Sequence, residues 1–251
     1  MEIGLISYAS GNFLSAIERL DGTARSIGVS GSILHKNFRN PINKGDGLWR
    51  WKPRIIREAL LNEDNSVDYY IYADSTIIFR KPLANFVAEV CEATEFQPII
   101  GFSLPLLERE WTRPDVYKHF GLSENTFPNQ IHASYFFIKN DKRALEFIEE
   151  WYELCSKPEL IVDTEGFSHR HDQSLFSCLY KKFGFLAVKD ISQYADFPRM
   201  YRHHSSLIEP RWQVDHNHTN LLFHCRSDSV FKVKKSILKH KVYETVSYYC
   251  K

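Results

Sequence analysis

The chain lacks a Cys-x-x-Cys pair, a long apolar run and an excess of charge of either sign. Its five cysteines, at 91, 155, 178, 225 and 250, are odd in number and dispersed. Neither a disulfide framework nor a Cys-built zinc site is implied, and a reducing compartment is the natural setting. A bilayer span needs about 20 apolar residues, and no such stretch occurs. Met1–Tyr8 lacks the basic start and apolar run of a secretory signal. The expectation is a soluble, cytoplasmic protein that meets any lipid-linked substrate peripherally. With 32 Lys+Arg against 31 Asp+Glu, a net charge of +1, the electrostatic footprint of a nucleic-acid binder is missing, so no nucleic-acid partner is expected. Neither GxxxxGK[ST] nor GxGxxG is present, which removes support for P-loop and dinucleotide-binding folds, and no GxSxG elbow occurs. No internal repeat or low-complexity linker divides the chain.

What is present suits a globular domain. The 251 residues are long enough to bury a substantial core, and 43% hydrophobic with 25% charged residues are ordinary globular values. The reading is a single α/β domain over 1–251, with a basic helical segment at about 230–250. Aromatics are rich at 14%, which serves either a core or stacking surfaces. Ile3–Tyr8, then Ala9-Ser10-Gly11-Asn12, then the apolar period Leu14, Ile17, Leu20 predict strand, loop and helix. Trp51, Ile55, Ile56, Ala59 and Leu60 share one face of a helix expected over Trp49–Leu61. The strongest strand signal is Asp68–Phe79, in which Tyr69–Ala73 is broken by Asp74-Ser75-Thr76 and resumes at Ile77. Such an apolar run fits a central strand covered on both faces. Further strands are expected at Ile99–Leu104, Ala133–Ile138 and Leu221–His224, and helices at Asp141–Cys155, capped by Asp141, and Asp172–Lys182. This alternation predicts a central, mostly parallel mixed sheet flanked by helices, a Rossmann-like plan. Ligands bind such sheets beyond the carboxyl ends of strands, where the strand order reverses.

Polar residues just after buried strands therefore carry the most interest. Asp74 stands where a buried strand ends and suits a divalent cation or a ribose hydroxyl; its other reading is a turn aspartate capping local N–H groups. His169-Arg170-His171-Asp172-Gln173-Ser174 opens a helix with an acid, a guanidinium and two imidazoles. Asp172 suits sugar hydroxyls, Gln173 a reacting carbon, and Arg170 a phosphate or acid; the alternative is a capped, solvated helix start. His224 ends a short strand and precedes Arg226, which pairs a metal-ligand type with a phosphate-binding type. His203-His204 and His216-Asn217-His218 lack helical spacing and read as loop histidines. Gly45-Asp46-Gly47 leads into Trp49-Arg50-Trp51-Lys52-Pro53, a loop able to approach an anion beside aromatic faces; alternatively Trp51 is core and Pro53 an early-helix proline.

Together these segments resemble the glycosyltransferases of the nucleotide-sugar-binding GT-A fold, closest to a bacterial and large-virus group of small surface-glycan transferases. The similarity covers most of the chain: Leu5–Ala9, Gly47–Pro53, Tyr72–Ser75, Glu110–Asp115, Gln130–Ser134 and His169–Ser174. The order of motifs also resembles glycosyltransferase family 8, with Lys52, Asp74, Ala133-Ser134, Asp172-Gln173 and His224 in the matching places. The resemblance implies that Ser7, Tyr8 and Ala9 border the base, with Trp51 and Ser75 also lining the donor. Asp74 would hold ribose and metal, and Lys52 and Arg226 would lie near the diphosphate. Ala133 and Ser134 would line the donor sugar, Asp172 bind its hydroxyls, and Gln173 lie beside the anomeric carbon. It implies Mn²⁺ or Mg²⁺ at Asp74, Thr76 and His224, although Thr76 replaces the second acid of the DxD pattern; cationic side chains are the alternative.

The implied reaction moves a sugar from a nucleotide-diphosphate sugar, expected to be a UDP-sugar, to a hydroxyl of a glycan or glycolipid acceptor. Retention by front-face attack is favoured. The alternatives are an inverting transferase with Asp172 as base, a nucleotidyl- or phospho-transferase, and a non-catalytic nucleotide-sugar-binding module. Leu106–Phe127 and Gln193–His218 are expected acceptor loops. The stretch Phe231–Lys241 alternates basic and apolar residues: as a helix it suits either peripheral contact with anionic lipid or packing with a solvated face.

Overall fold

A computed structural model describes residues 1–36, 49–62, 66–123, 126–164, 169–193, 211–225 and 232–239. The expectations placed on Gly45-Asp46-Gly47, His203-His204 and Arg226 lie outside the described residues, as do parts of the Gln193–His218 loop and both ends of the basic tail.

The chain begins with β1 (Ile3–Ala9), whose first five residues are buried, and crosses by α1 (Leu14–Ser26) to β2 (Gly31–Lys36). Helix α1 buries Ala16, Ile17, Leu20 and Ala24 along one stripe, the spacing of an amphipathic helix lying on a sheet. Helix α2 (Trp51–Leu60) leads to β3 (Tyr69–Ala73), five consecutive buried residues. After a turn come β4 (Ile77–Phe79), α3 (Ala84–Ala93), β5 (Ile99–Ile100) and β6 (Ser103–Leu107). Two short helices follow, α4 (Glu108–Trp111) and α5 (Pro114–His119), then β7 (Asn129–Ile131) and β8 (Tyr135–Lys139). The second half adds α6 (Lys142–Cys155), α7 (Pro158–Ile161), α8 (His171–Lys182), β9 (Leu222–His224) and a helix at 232–239.

The main sheet has five strands in the order β2-β1-β3-β8-β5. Strands β1, β2 and β3 run parallel, β8 is antiparallel to β3, and β5 is antiparallel to β8. Strand β8 is therefore the one reversed strand of the five, and the sheet is mixed with a parallel majority. Side chains alternate between two cores, as a pleat requires. Tyr70, Tyr72, Phe136 and Ile138 face one side with α2, α6 and α8, whereas Tyr69, Ile71, Tyr135 and Phe137 face the other with α1 and α3. The result is a three-layer α/β arrangement compatible with a Rossmann-like fold. From β1 the chain goes first to β2 on one side and then to β3 on the other, which opens a crevice at the carboxyl ends of β1 and β3.

Several expectations are corrected in detail. Helix α2 begins at Trp51 because Trp49 has φ of 67°, outside the right-handed helical region. The single strand expected over Ile99–Leu104 is two, β5 and β6, which pair in different sheets. At the break, a Cβ on Gly101 would lie 2.7 Å from Ile131 Cγ2 and 2.8 Å from Tyr180 Cε2. The expected acceptor loop Leu106–Phe127 contains α4 and α5. Asp141 caps α6 as expected, its carboxylate accepting from the Ala144 N–H at 2.9 Å. Of the basic tail, 232–239 is helical, with Val233 and Ile237 packed on Ile78, Phe223 and Cys225. No helix among the described residues is long and apolar enough to cross a membrane.

The glycines supply a contrasting pair of tests. Gly101→Ala must displace a fully buried Tyr180 ring and is expected to destabilise by about 1–3 kcal/mol. Gly22→Ala, in α1 with open space around the position, should stabilise by about 0.5–1 kcal/mol. Denaturant unfolding of both variants checks this; an unchanged midpoint for Gly101→Ala would refute the packing at the β5–β6 break.

Candidate functional site

The crevice at the carboxyl ends of β1 and β3 is a cleft of about 700 Å³. Its floor is stapled before any ligand arrives. The Ser7 hydroxyl, fully buried, donates to the Ala73 carbonyl at 2.6 Å and joins the ends of the two strands. The Asp74 N–H donates to the Ser134 carbonyl at 2.7 Å, which ties the turn after β3 to the start of β8. Tyr8, Ala9, Asp74, Ser75, Thr76 and Ser134 then line the cleft from the sheet side.

Helices α2 and α8 complete the walls with Trp51, Lys52, Asp172 and Gln173, joined by Arg170 just ahead of α8. Lys52 is the centre of the arrangement. Its ammonium lies 2.7 Å from Asp172 Oδ2 and 3.7 Å from Asp74 Oδ1, and donates to the Ala133 carbonyl at 3.1 Å. Lys52 is only 6% exposed and Asp172 likewise. Burial by itself drives the Lys52 pKa down, but the carboxylates of Asp172 and Asp74 outweigh it and hold it above its usual value. Lys52 is thus a permanent cation at the base of the cleft. The Tyr72 hydroxyl donates to Asp74 Oδ1 at 2.6 Å; burial, followed by Asp74, pushes its pKa well up and keeps it a donor.

Aromatic groups frame the mouth. Tyr8 and Trp51 rings meet at 4.6 Å between centroids, and Trp49 stacks on His171 at 3.8 Å. Trp49 and His171 both have positive φ, 67° and 48°, conformations that cost about 1–3 kcal/mol each in residues other than glycine. The guanidinium of Arg170 lies 4.2 Å from the Trp111 ring centroid. Gln173 donates from Nε2 to Gln130 Oε1 at 2.8 Å.

The cleft therefore gathers Tyr8, Ala9, Trp51, Lys52, Asp74, Ser75, Thr76, Ser134, Arg170, Asp172 and Gln173. Ser7 and Ala133 serve it from beneath, through a hydroxyl and a carbonyl. His224 is not among the lining residues. Its ring stacks on His132 at 5.3 Å, and its N–H donates to Gln193 Oε1. Burial first, and then His224, Arg170 and Lys52, hold the His132 pKa well below the usual imidazole value. His216 and His218 sit outside regular elements as expected, His216 against the Lys189 carbonyl and His218 against Glu89. Among the described residues no group of three or more His, Cys, Asp or Glu is placed to share one ion. Asp74 is already paired with Tyr72 and Lys52, and Thr76 contributes only a neutral hydroxyl. This donor set does not fit a divalent cation held by the protein alone. The residue that sequence reasoning left without a role is Gln130, fully buried behind Gln173; a glutamine in a short strand carries no signal of its tertiary partner.

No protein-family model matches the chain, and a search of curated proteins finds no match.

His169 offers a pH test of the wall ahead of α8. It is 4% exposed, its Nδ1 accepts from the Arg113 N–H, and its pKa is pushed down to about 4 by burial first, then by Arg113 and His171. The unfolded imidazole takes a proton below about pH 6.5, which the folded one refuses. Its contribution is complete above that value and is lost as the pH falls towards about 4, at about 1.4 kcal/mol per pH unit. Urea unfolding of His169→Gln should show a shallower loss of stability than wild type in this window. Parallel curves would refute the buried, neutral imidazole.

Proposed function

We propose that the chain is a glycosyltransferase of the GT-A type that takes a sugar from a nucleotide-diphosphate sugar, a UDP-sugar, and passes it with retention to a hydroxyl of a glycan or glycolipid. One observation carries the reading: a buried ammonium, Lys52, held between Asp74 at the end of β3 and Asp172 at the start of α8, at the point where the strand order reverses.

The chemistry follows from the leaving group. As the bond from the anomeric carbon to the β-phosphate oxygen breaks, negative charge grows on the diphosphate. A fixed cation aimed at it lowers the barrier without reorganising at the moment of reaction. Lys52 supplies that charge, with the Arg170 guanidinium on the cleft wall. Tyr8 and Trp51 offer faces to the base, and Asp74 suits ribose hydroxyls. The anomeric carbon becomes oxocarbenium-like, and the carboxylate of Asp172 and the amide oxygen of Gln173 stabilise it. The acceptor oxygen bonds to the same face that the phosphate leaves, and its proton passes to the departing phosphate oxygen. The Asp172 carboxylate is engaged by the Lys52 ammonium at 2.7 Å, which supports retention over the inverting alternative. No step requires a resident metal. The 232–239 helix turns Val233 inward and leaves Lys232, Lys234 and Lys235 exposed, an arrangement that supports peripheral electrostatic contact with acidic lipid rather than insertion.

The test combines binding and turnover. A panel of UDP-sugars should raise the melting temperature, the rise growing with the logarithm of ligand concentration over its Kd, with chelator present as well as without. Asp172→Asn and Gln173→Ala should keep UDP affinity within a few-fold while transfer falls about 100-fold or more. Wild-type turnover in either variant would end the assignment, and the anomeric configuration of the product, read by NMR, decides retention.

A further inference from the structure

We propose that Gln130 is a positioning residue that holds the side-chain amide of Gln173 with its carbonyl oxygen turned into the cleft, towards the sugar of the bound donor. The proposal rests on the donor-binding reading above. It is carried by a chain of hydrogen bonds whose polarity has one consistent solution.

The chain starts at Glu108, 1% exposed, whose carboxylate can only accept. It pairs with the Lys181 ammonium at 2.7 Å and receives the hydroxyls of Thr112 and Ser177. The Thr112 proton is thereby committed, so towards Gln130 its oxygen can only accept. Ser174 is committed in the same way: its hydroxyl donates to the Trp111 carbonyl at 2.8 Å and accepts the Arg170 N–H at 3.0 Å. Gln130 lies between these two spent hydroxyls, 3.4 Å from Thr112 Oγ1 and 3.3 Å from Ser174 Oγ. Its nitrogen must face them, because an amide oxygen there would meet two acceptors. The Trp111 carbonyl, 3.5 Å away on the same side, imposes the same choice.

With its nitrogen fixed inward, Gln130 presents Oε1 to Gln173, which must answer with Nε2, at 2.8 Å. The remaining atom, Gln173 Oε1, is then the one available to a ligand, and Gln173 lines the cleft. An amide oxygen in that place accepts from sugar hydroxyls and faces a carbon that turns positive; an amide nitrogen could still donate to a hydroxyl but would set its partial positive charge against that carbon. Gln130, Ser174, Ser177 and Thr112 are all fully buried, and every polar group left unmatched at such a depth is costly. The orientation of Gln173 is therefore set from Glu108 and Lys181, two residues remote from the cleft lining.

The chain contains five glutamines, so selective ¹⁵N-glutamine labelling gives a readable set of side-chain amides. In the full-length protein without ligand, the Gln173 amide protons should exchange with solvent about 10-fold more slowly than in Gln130→Leu. Thr112→Val, which keeps the Gln130 side chain and removes one of the acceptors that hold its nitrogen, should quicken the exchange to a smaller degree, and it covers the case in which the leucine variant fails to fold; exchange as slow as wild type in that case counts against the proposal. In the second arm, UDP and the tightest binder among UDP-glucose, UDP-galactose and UDP-N-acetylglucosamine are titrated calorimetrically. Gln130→Leu should weaken the UDP-sugar about 3- to 10-fold and leave UDP unchanged, and it should add nothing in a Gln173→Leu background. Equal exchange in wild type and Gln130→Leu, or additive losses in the double variant, would overturn the proposal. A failure of UDP itself to bind would overturn the proposed function and the sugar-facing part of this inference, whereas the exchange arm judges the Gln130–Gln173 bond without any ligand.

Discussion

A buried ammonium flanked by two carboxylates is the constraint on which this molecule's cleft depends. Removing Lys52 from water is unfavourable, and contact with Asp172 at 2.7 Å, Asp74 at 3.7 Å and the Ala133 carbonyl offsets that penalty. The four groups come from α2, the start of α8, the end of β3 and the approach to β8. One ion cluster therefore joins elements that are far apart in the chain. Breaking such a buried pair by deleting one partner costs about 3–5 kcal/mol, so the cluster is structural as well as chemical. The ammonium keeps its charge in the folded state.

Around that cluster the fold supplies rigidity in proportion to the need for orientation. The Ser7–Ala73 and Asp74–Ser134 hydrogen bonds lock the strand ends. The Glu108–Lys181 pair and the hydroxyls attached to it determine which way buried amides point. Strain enters at the mouth instead, where Trp49 and His171 hold positive φ and stack on each other. The floor of the cleft is thus held rigid, and aromatic side chains place flat surfaces along its lining.

Much of this arrangement was legible in the residues, for definite reasons. Strands β3 and β8 and helix α6 announce themselves by continuous apolar runs or by a capped amphipathic period. Asp74 and Asp172 stand out as acids at the ends of such segments. Strand β2 was missed because Gly31–Lys36 is short and not apolar throughout, and α3 because nothing polar or functional drew attention to its period. The break at Gly101 reflects contacts with Ile131 and Tyr180, remote in sequence. A lysine near a helix start gives no hint that it is buried, so the Lys52–Asp172 contact was not foreseen; the family resemblance placed the two residues only at different parts of one donor. His224 stacks on His132 and is not among the cleft-lining residues; a strand-end histidine reads alike in sequence whether it faces a cleft or a second histidine. Gln130 was opaque for a similar reason: the partner of a buried amide is chosen by the packing of β7 against α8.

The most direct measurement is a crystal structure of the chain grown with UDP. The account predicts the nucleotide in the crevice between β1 and β3, its base beside Tyr8 and Trp51 and its diphosphate directed at Lys52, with Asp74 and Asp172 still joined to the ammonium. An ordered nucleotide seated elsewhere, with this crevice holding only water, would contradict it.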